Sequence, residues 1–249
     1  MESKRKLSSP FRFRQFTVTQ HENAHKIGTD SVVLACFLQK MLQNKVDKIR
    51  NVLDIGTGTG ILAMFSAVFF KIAKVDAVEI NKGNATEAQL NVNQNHLDNQ
   101  VKVYHTALQN FTPQKQYDLI ITNPPYFENA VKNNLLSHQI ARHSSNLSLT
   151  DILAFAGKYL SKSGYLSFIV PQNVWNKYKM DALEKFWLKA ELQINNRNTV
   201  LTVVVLSKQK EGSEHKETLY IRNNGGSFTD EFIRLTENVY LPEVYRGRS

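Results

Sequence analysis

Asn51-Val52-Leu53-Asp54-Ile55-Gly56-Thr57-Gly58-Thr59-Gly60 runs from an apolar strand into a glycine-rich turn, and the helical pattern Ile61 to Lys71 follows at once. Glycines let the backbone take positive φ and let a ligand approach the main chain closely. The spacing is G-x-G-x-G, not the G-x-G-x-x-G of dinucleotide sites. Asp54 sits just before the turn, where a carboxylate can receive an ammonium group or order a water. The next strand, Lys74 to Ile80, carries Glu79 at its end. Glu79 lies 19 residues after Gly60, close to the spacing at which an acidic side chain takes ribose hydroxyls.

Working outward, strands and helices alternate. The patterns predict strands near 51–55, 75–80, 101–104, 117–122, 165–170 and 199–206, and helices near 60–71, 84–96, 150–160 and 178–189. Residues 189–194 read as an additional strand, as does Thr218 to Arg222, and Thr229 or Asp230 caps a last helix through Leu235. Towards the N-terminus, Phe13 to Val18 reads as a strand, and Thr29 or Asp30 as the cap of a helix that carries Cys36 on its apolar face. Pro171 closes one strand and Gly164 opens the turn before it. This alternation predicts an α/β, Rossmann-like fold with a mostly parallel central sheet and helices on both faces. In such sheets ligands bind beyond the carboxyl ends of the strands, where Asp54, Glu79 and Asn123 all fall.

The strand Tyr117 to Thr122 ends in Asn123-Pro124-Pro125-Tyr126. A planar nitrogen, as in an adenine amine or an amide, has a delocalised lone pair and is a poor nucleophile. An Asn oxygen and a backbone carbonyl can accept its two hydrogens and orient it towards an electrophile. The prolines hold that carbonyl rigidly and add no N–H. Tyr126, with Phe127 beside it, offers a flat face for a base. Alone, the tetrapeptide also reads as a rigid turn. The glycine turn alone does not separate an NAD site from an S-adenosyl-L-methionine site. Together and in order, the two motifs select the second cofactor and methyl transfer to nitrogen, with Asn123, Pro124, Pro125 and Tyr126 as the catalytic set. Hydride transfer has no use for the tetrapeptide. The stretch 126–149 is long for a connection. It carries Arg142 and His143, which read equally as phosphate or base contacts and as parts of a surface loop.

The chain has 249 residues and a formal charge of +9, from 31 basic and 22 acidic residues. That balance favours an anionic partner. Lys4, Arg5, Lys6, Arg12 and Arg14 crowd the first 14 residues, with Phe11, Phe13 and Phe16 among and just after them. Two readings of residues 1–20 stand side by side: a basic aromatic arm that holds RNA, or a segment whose aromatics dock on the core. Residues 21–249 read as one domain. No run is long and apolar enough to cross a bilayer, and the N-terminus lacks the apolar core of a signal peptide. The single cysteine, Cys36, excludes an internal disulfide, and no Cys/His cluster has zinc spacing. A cytoplasmic protein without a metal is the expectation, with a monomer plausible.

With these residues in view, the chain resembles the class I S-adenosylmethionine-dependent methyltransferases, and within them the valine-tRNA (adenine-37-N6)-methyltransferase family. Phe11-Arg12-Phe13-Arg14-Gln15-Phe16 resembles that family's opening. Lys26-Ile27-Gly28-Thr29-Asp30 resembles the element bordering the methionine end of the cofactor. Ala141-Arg142-His143 and Leu219-Tyr220-Ile221-Arg222 resemble later segments. The resemblance implies a tRNA substrate. It implies cofactor contacts from Lys26, Gly28, Thr29, Asp54, Gly56, Thr57, Gly58, Gly60, Glu79 and Asn123. It implies substrate contacts from Arg12, Arg14, Tyr126, Phe127, Arg142 and His143. One departure stands out. Many relatives carry an acid after the third strand that accepts from the cofactor's adenine amine, whereas here the region reads His105-Thr106-Ala107-Leu108-Gln109. Gln109 or a backbone carbonyl can substitute. A protein glutamine N5-methyltransferase and a non-catalytic RNA-binding protein on the same fold remain the alternatives.

Overall fold

A computed structural model describes residues 10–20, 28–125, 147–196 and 199–246. Its centre is built from short apolar runs with no polar face to give to water. Val52, Leu53 and Ile55 in β3 (Asn51–Ile55) are buried, as are Leu119, Ile120 and Ile121 in β6 (Tyr117–Thr122). Strands buried on both faces are the mark of a parallel sheet covered by helices. Alternate residues feed two cores. Val52, Leu119 and Ile121 join a cluster under α1 (Thr29–Leu42) and α2 (Ile61–Phe69). Leu53, Ile55 and Ile120 join another under α4 (Leu149–Tyr159) and α5 (Gln172–Leu183).

The remaining strands are β4 (Lys74–Glu79), β5 (Val101–His105), β7 (Leu160–Pro171), β8 (Trp187–Asn196), β9 (Thr199–Ser207) and β10 (His215–Tyr220). The sheet order is β5-β4-β3-β6-β7-β9-β8-β10. Only β9 runs against its neighbours. The chain steps outward from β3 to β4 and β5, then returns to the other side of β3 as β6. That reversal opens a crevice at the carboxyl ends of β3 and β6. α3 (Lys82–Gln94) follows β4, and α6 (Asp230–Thr236) follows β10, capped by Thr229 as expected.

Four expectations need correction. The helix expected over 178–189 is α5 at Gln172–Leu183, and β8 starts at Trp187. Pro171, with its fixed φ, lets a helix begin directly behind β7. In β8, buried Leu188, Ala190, Leu192 and Ile194 alternate with more exposed neighbours, which is a period of two and not of 3.6. Phe13 to Val18 is not one strand. A tight turn, closed by Phe13 N donating to the Phe16 carbonyl at 2.9 Å, separates β1 (Phe11–Arg12) from β2 (Thr17–Val18), which pair antiparallel. This turn puts Phe13 and Phe16 against Phe65 of α2, with ring centroids 5.1 and 4.7 Å apart. The N-cap of α1 is Gly28, which has no side chain to cap with, and Thr29 is already the first helical residue, its side chain bonded to Tyr240.

The fourth correction concerns Gly164, which lies inside β7, beside a register irregularity between Tyr117 and Leu119 of β6, and opens no turn. A Cβ there would stand 2.9 Å from the Tyr117 carbonyl oxygen and 2.8 Å from Leu160 Cγ. The carbonyl belongs to a buried strand and cannot retreat. Gly164→Ala is therefore expected to lower unfolding free energy by about 1–3 kcal/mol, the usual cost of overpacking. A urea midpoint equal to that of wild type would show that β6 and β7 can separate locally.

Candidate active site

The turn after β3 is held from several sides. Gly56 and Thr57 amides donate to the Val78 carbonyl at 2.8 and 3.1 Å, and the Gly60 amide closes the turn on the Thr57 carbonyl at 2.9 Å. Gly58 has φ +57 and Gly60 φ +90, where L side chains are strained. The two serve different ends. A Cβ on Gly60 would meet Ala88 of α3 at 3.4 Å, so this glycine lets α2 and α3 pack closely. A Cβ on Gly58 would meet nothing within 4 Å among the described residues, so these leave space over its backbone.

Asp54 is fully buried beneath the turn. Its Oδ2 accepts from Thr57 Oγ1 at 2.5 Å, while Oδ1 has no hydrogen-bond partner among the described residues. Burial pushes the carboxyl up to about 7 and the Glu79 charge adds to the rise, opposed by the Thr57 hydroxyl and the Ala63 amide. A buried acceptor without a donor is costly. It matches a ligand that brings a positively charged or N–H group.

Glu79 closes β4 and is also buried. Oε2 accepts from the Gly58 amide at 2.9 Å and Oε1 from the Asn81 amide at 2.8 Å. Each carboxylate oxygen has a second lone pair, so the group can still accept from a sugar hydroxyl. A buried oxygen without a donor, open space over Gly58 and an acid at the next strand end together fit an adenosyl cofactor with an amino-acid tail.

Asn123 stands at the same level on the neighbouring strand. Ile55 pairs with Thr122 across β3 and β6, and Thr122 Oγ1 donates to the Ile55 carbonyl at 2.7 Å. Gly56 and Asn123 thus leave adjacent strands about 4.8 Å apart. Asn123 Nδ2 donates to Ser31 Oγ, in the first turn of α1, at 3.0 Å. That bond fixes the orientation of the amide, whose other end, Oδ1, is by chemistry an acceptor. Pro124 is buried and Pro125 exposed. Ser31 was missed by the sequence reading, since a lone serine in a helical pattern carries no signal until its partner is known.

Other expected site residues are placed as follows. Thr57 spends its hydroxyl on Asp54 and so acts through it. Gly28 caps α1 and Thr29 begins it, in the same first turn as Ser31. Arg12 is exposed on β1. Arg14 is engaged: its Nε donates to the Glu237 and Tyr240 carbonyls at 2.7 and 2.9 Å, which makes it a clamp on the chain's end. Phe13 and Phe16 are buried, so of the two readings of this segment the aromatics take the docked one. Lys26, Tyr126, Phe127, Arg142 and His143 lie outside the described residues. Gln109 Nε2 reaches Asp151, in the capping box of α4, at 3.5 Å. The Thr106 amide donates to the Glu79 carbonyl at 2.9 Å, which sets the Thr106–Ala107 backbone beside the exposed Ile80.

Among the described residues no His, Cys, Asp or Glu group could hold a metal ion, and no helix is long and apolar enough to cross a membrane. A cleft of about 720 Å³ lies elsewhere, between α1, β10 and α6. Its charges are already paired, as in Lys40 with Glu217 at 2.6 Å, and it holds no group suited to the transfer.

Comparison with known proteins agrees with this geometry. Residues 29–201 match the family described as Methyltransferase small domain. A tRNA1(Val) (adenine(37)-N6)-methyltransferase of Pedobacter heparinus is 33% identical over 239 residues, covering 94% of this chain and 99% of that protein. One of Trichodesmium erythraeum is 36% identical over 240 residues, covering 93% and 97%. Among solved structures, a predicted O-methyltransferase of Agrobacterium tumefaciens superposes with a TM-score of 0.63 at 17% identity, over 84% of this chain and 96% of that one. The T. thermophilus 16S rRNA N2 G1207 methyltransferase, solved with AdoMet and guanosine, gives 0.59 at 21% identity, over 82% and 51%. These likenesses show the class I methyltransferase fold. The chain belongs to the Methyltransferase small domain family and, within it, to the tRNA1(Val) (adenine(37)-N6)-methyltransferases, which use S-adenosylmethionine.

Proposed function

We propose that this protein transfers a methyl group from S-adenosyl-L-methionine to the exocyclic N6 of an adenine in tRNA, adenine 37 of a valine tRNA. The observation that carries the reading is Asn123, anchored on Ser31 at the end of β6 and level with the glycine turn of β3. An Asn at that place suits a glutamine amide as well as an adenine amine, and the relatives' names favour adenine.

In this reading Asp54, Gly56, Gly58, Gly60 and Glu79 hold the cofactor, with Lys26, Gly28 and Thr29 at its methionine end and Thr57 setting the Asp54 carboxylate. When bound, S-adenosylmethionine supplies a methyl carbon made electrophilic by its sulfonium. Asn123 Oδ1 and the Pro124 carbonyl accept the two amine hydrogens and turn the nitrogen lone pair out of conjugation. Pro125 stiffens the carbonyl without adding a donor. Tyr126 and Phe127 stack on the base. The nitrogen sheds its proton to solvent after transfer, so no strong base is needed, and catalysis is positioning with electrostatic orientation. Arg12, Arg142 and His143 are the candidates for RNA contacts. An unpaired loop base enters such a pocket at less cost than a duplex base. A cytoplasmic monomer fits this role.

Asn123→Ala is expected to lower kcat about 10²–10³-fold, the scale of one lost oriented acceptor or donor. Calorimetry should show S-adenosylhomocysteine binding within about twofold of wild type. Near-normal turnover would remove Asn123 from the mechanism. Ser31→Ala should lower kcat about tenfold with little change in KM for tRNA, because it loosens Asn123 without touching the base.

A pH dependence follows from Asp54. Its carboxyl titrates near 7 in the folded protein against an ordinary 3.8. The neutral form's contribution to folding is therefore full below about pH 4 and is lost as pH rises through about 7. A bound ammonium favours the ionised form, so affinity for S-adenosylhomocysteine should strengthen between about pH 6 and pH 8, with a proton released on binding. Asp54→Asn should flatten that profile; a wild-type profile already flat would separate Asp54 from the cofactor's charge.

A further inference from the structure

Asn91 in the last turn of α3 and Asn95, the helix's C-cap, stand four residues apart and grip the N-terminal segment in the same way. Asn95 Oδ1 accepts from the Thr17 amide at 2.9 Å, and its Nδ2 donates to the Thr17 carbonyl at 2.7 Å. Asn91 Oδ1 accepts from the Thr19 amide at 2.9 Å, and its Nδ2 donates to the Thr19 carbonyl at 3.1 Å. The match is geometric. Four helical residues rise about 6 Å, and two extended residues span about 6.6 Å. The two carboxamides thus meet alternate peptide groups of the segment, as a neighbouring strand would.

Asn91 alone reaches further. Its Nδ2 also donates to the Thr59 carbonyl, inside the glycine turn, at 2.9 Å. The other bonds of Asn95 go to the Asn91 carbonyl and Met64 Sδ. Asn91 is buried at 1% exposure, so water cannot replace these partners. The Thr59 carbonyl belongs to the peptide whose other end is the Gly60 amide, and that amide closes the turn on Thr57. Across the turn the Gly58 amide is held by Glu79. The turn is therefore gripped on one side by an acid from β4 and on the other by Asn91.

We infer that Asn91 is a positioning residue for the cofactor. Docking of Thr17–Thr19 fixes its carboxamide, and the carboxamide fixes the Thr59–Gly60 peptide in the shape that receives the ligand. Losing the Thr19 amide deprives Oδ1 of its donor and lets the carboxamide rotate away from Thr59. The N-terminal segment is then part of the cofactor site, whatever its charged residues do for RNA. This rests on the reading that the glycine turn holds S-adenosylmethionine.

The test compares three variants by calorimetry with S-adenosylhomocysteine, alongside thermal melts. Asn91→Ala should raise Kd about tenfold, the scale of one buried acceptor left unpaired. Thr19→Pro removes the Thr19 N–H from outside the turn and should raise Kd at least about threefold. Asn95→Ala releases the same segment at Thr17 without touching Thr59; it should lower Tm yet hold Kd within about twofold. Should Asn91→Ala fail to fold, Thr19→Pro against Asn95→Ala decides. An equal rise in all three, a rise in Asn91→Ala alone, or no rise in Thr19→Pro overturns the inference. Failure of wild type to bind S-adenosylhomocysteine would instead overturn the cofactor reading.

Discussion

One buried hydrogen bond, from the Thr122 hydroxyl to the Ile55 carbonyl, joins the ends of β6 and β3. On one side of that joint the chain becomes the glycine turn, and on the other it becomes Asn123-Pro124-Pro125. If the two strand ends slipped against each other, the glycine turn and Asn123 would no longer face one crevice. Much of the surrounding architecture guards this joint. β4 supplies the Val78 carbonyl and Glu79 to the turn, and α1 supplies Ser31 to Asn123. Each of these partners lies on a rigid element with a buried face, which suits a reaction that depends on orientation more than on acid or base strength.

The same arrangement carries an electrostatic cost. Asp54 gains a short bond from Thr57, and among the described residues its Oδ1 has no hydrogen-bond donor. A buried carboxylate under those terms would be poorly tolerated in a purely structural position. Its persistence beneath a turn with open space over Gly58 makes sense if ligand binding offsets the desolvation. Local instability and binding strength are two sides of one buried oxygen.

How much of this was legible in the sequence depends on where each signal lives. The glycine turn, Asp54, Glu79 and Asn123 sit at ends of apolar strands, and strand position plus residue type is enough to place them. The α5 and β8 boundaries were misread because Tyr178, Ala182 and Leu183 suggest a helix that continues, while the alternation of β8 depends on pairing with β9 and β10. Ser31 and Asn91 were invisible for a different reason. Each is a polar residue inside a helix, and only the partner 92 or 32 positions away turns it into part of the site. The run at Phe11–Phe16 leaves two readings open, an RNA-holding arm or aromatics docked on the core, because basic and aromatic residues alternate along it. In the fold they separate: Phe13 and Phe16 go inward to Phe65, while Arg12 and Arg14 both stay exposed, Arg14 with its Nε held by the Glu237 and Tyr240 carbonyls.

Arg14, bound to the Glu237 and Tyr240 carbonyls, and Gln15, bound to the Asn238 carbonyl, bring the beginning of the fold against its end. Among the described residues, the fold is thereby nearly circular in its connectivity. A short linker could join the two ends in a circular permutant, with fresh termini cut in a surface loop far from the crevice.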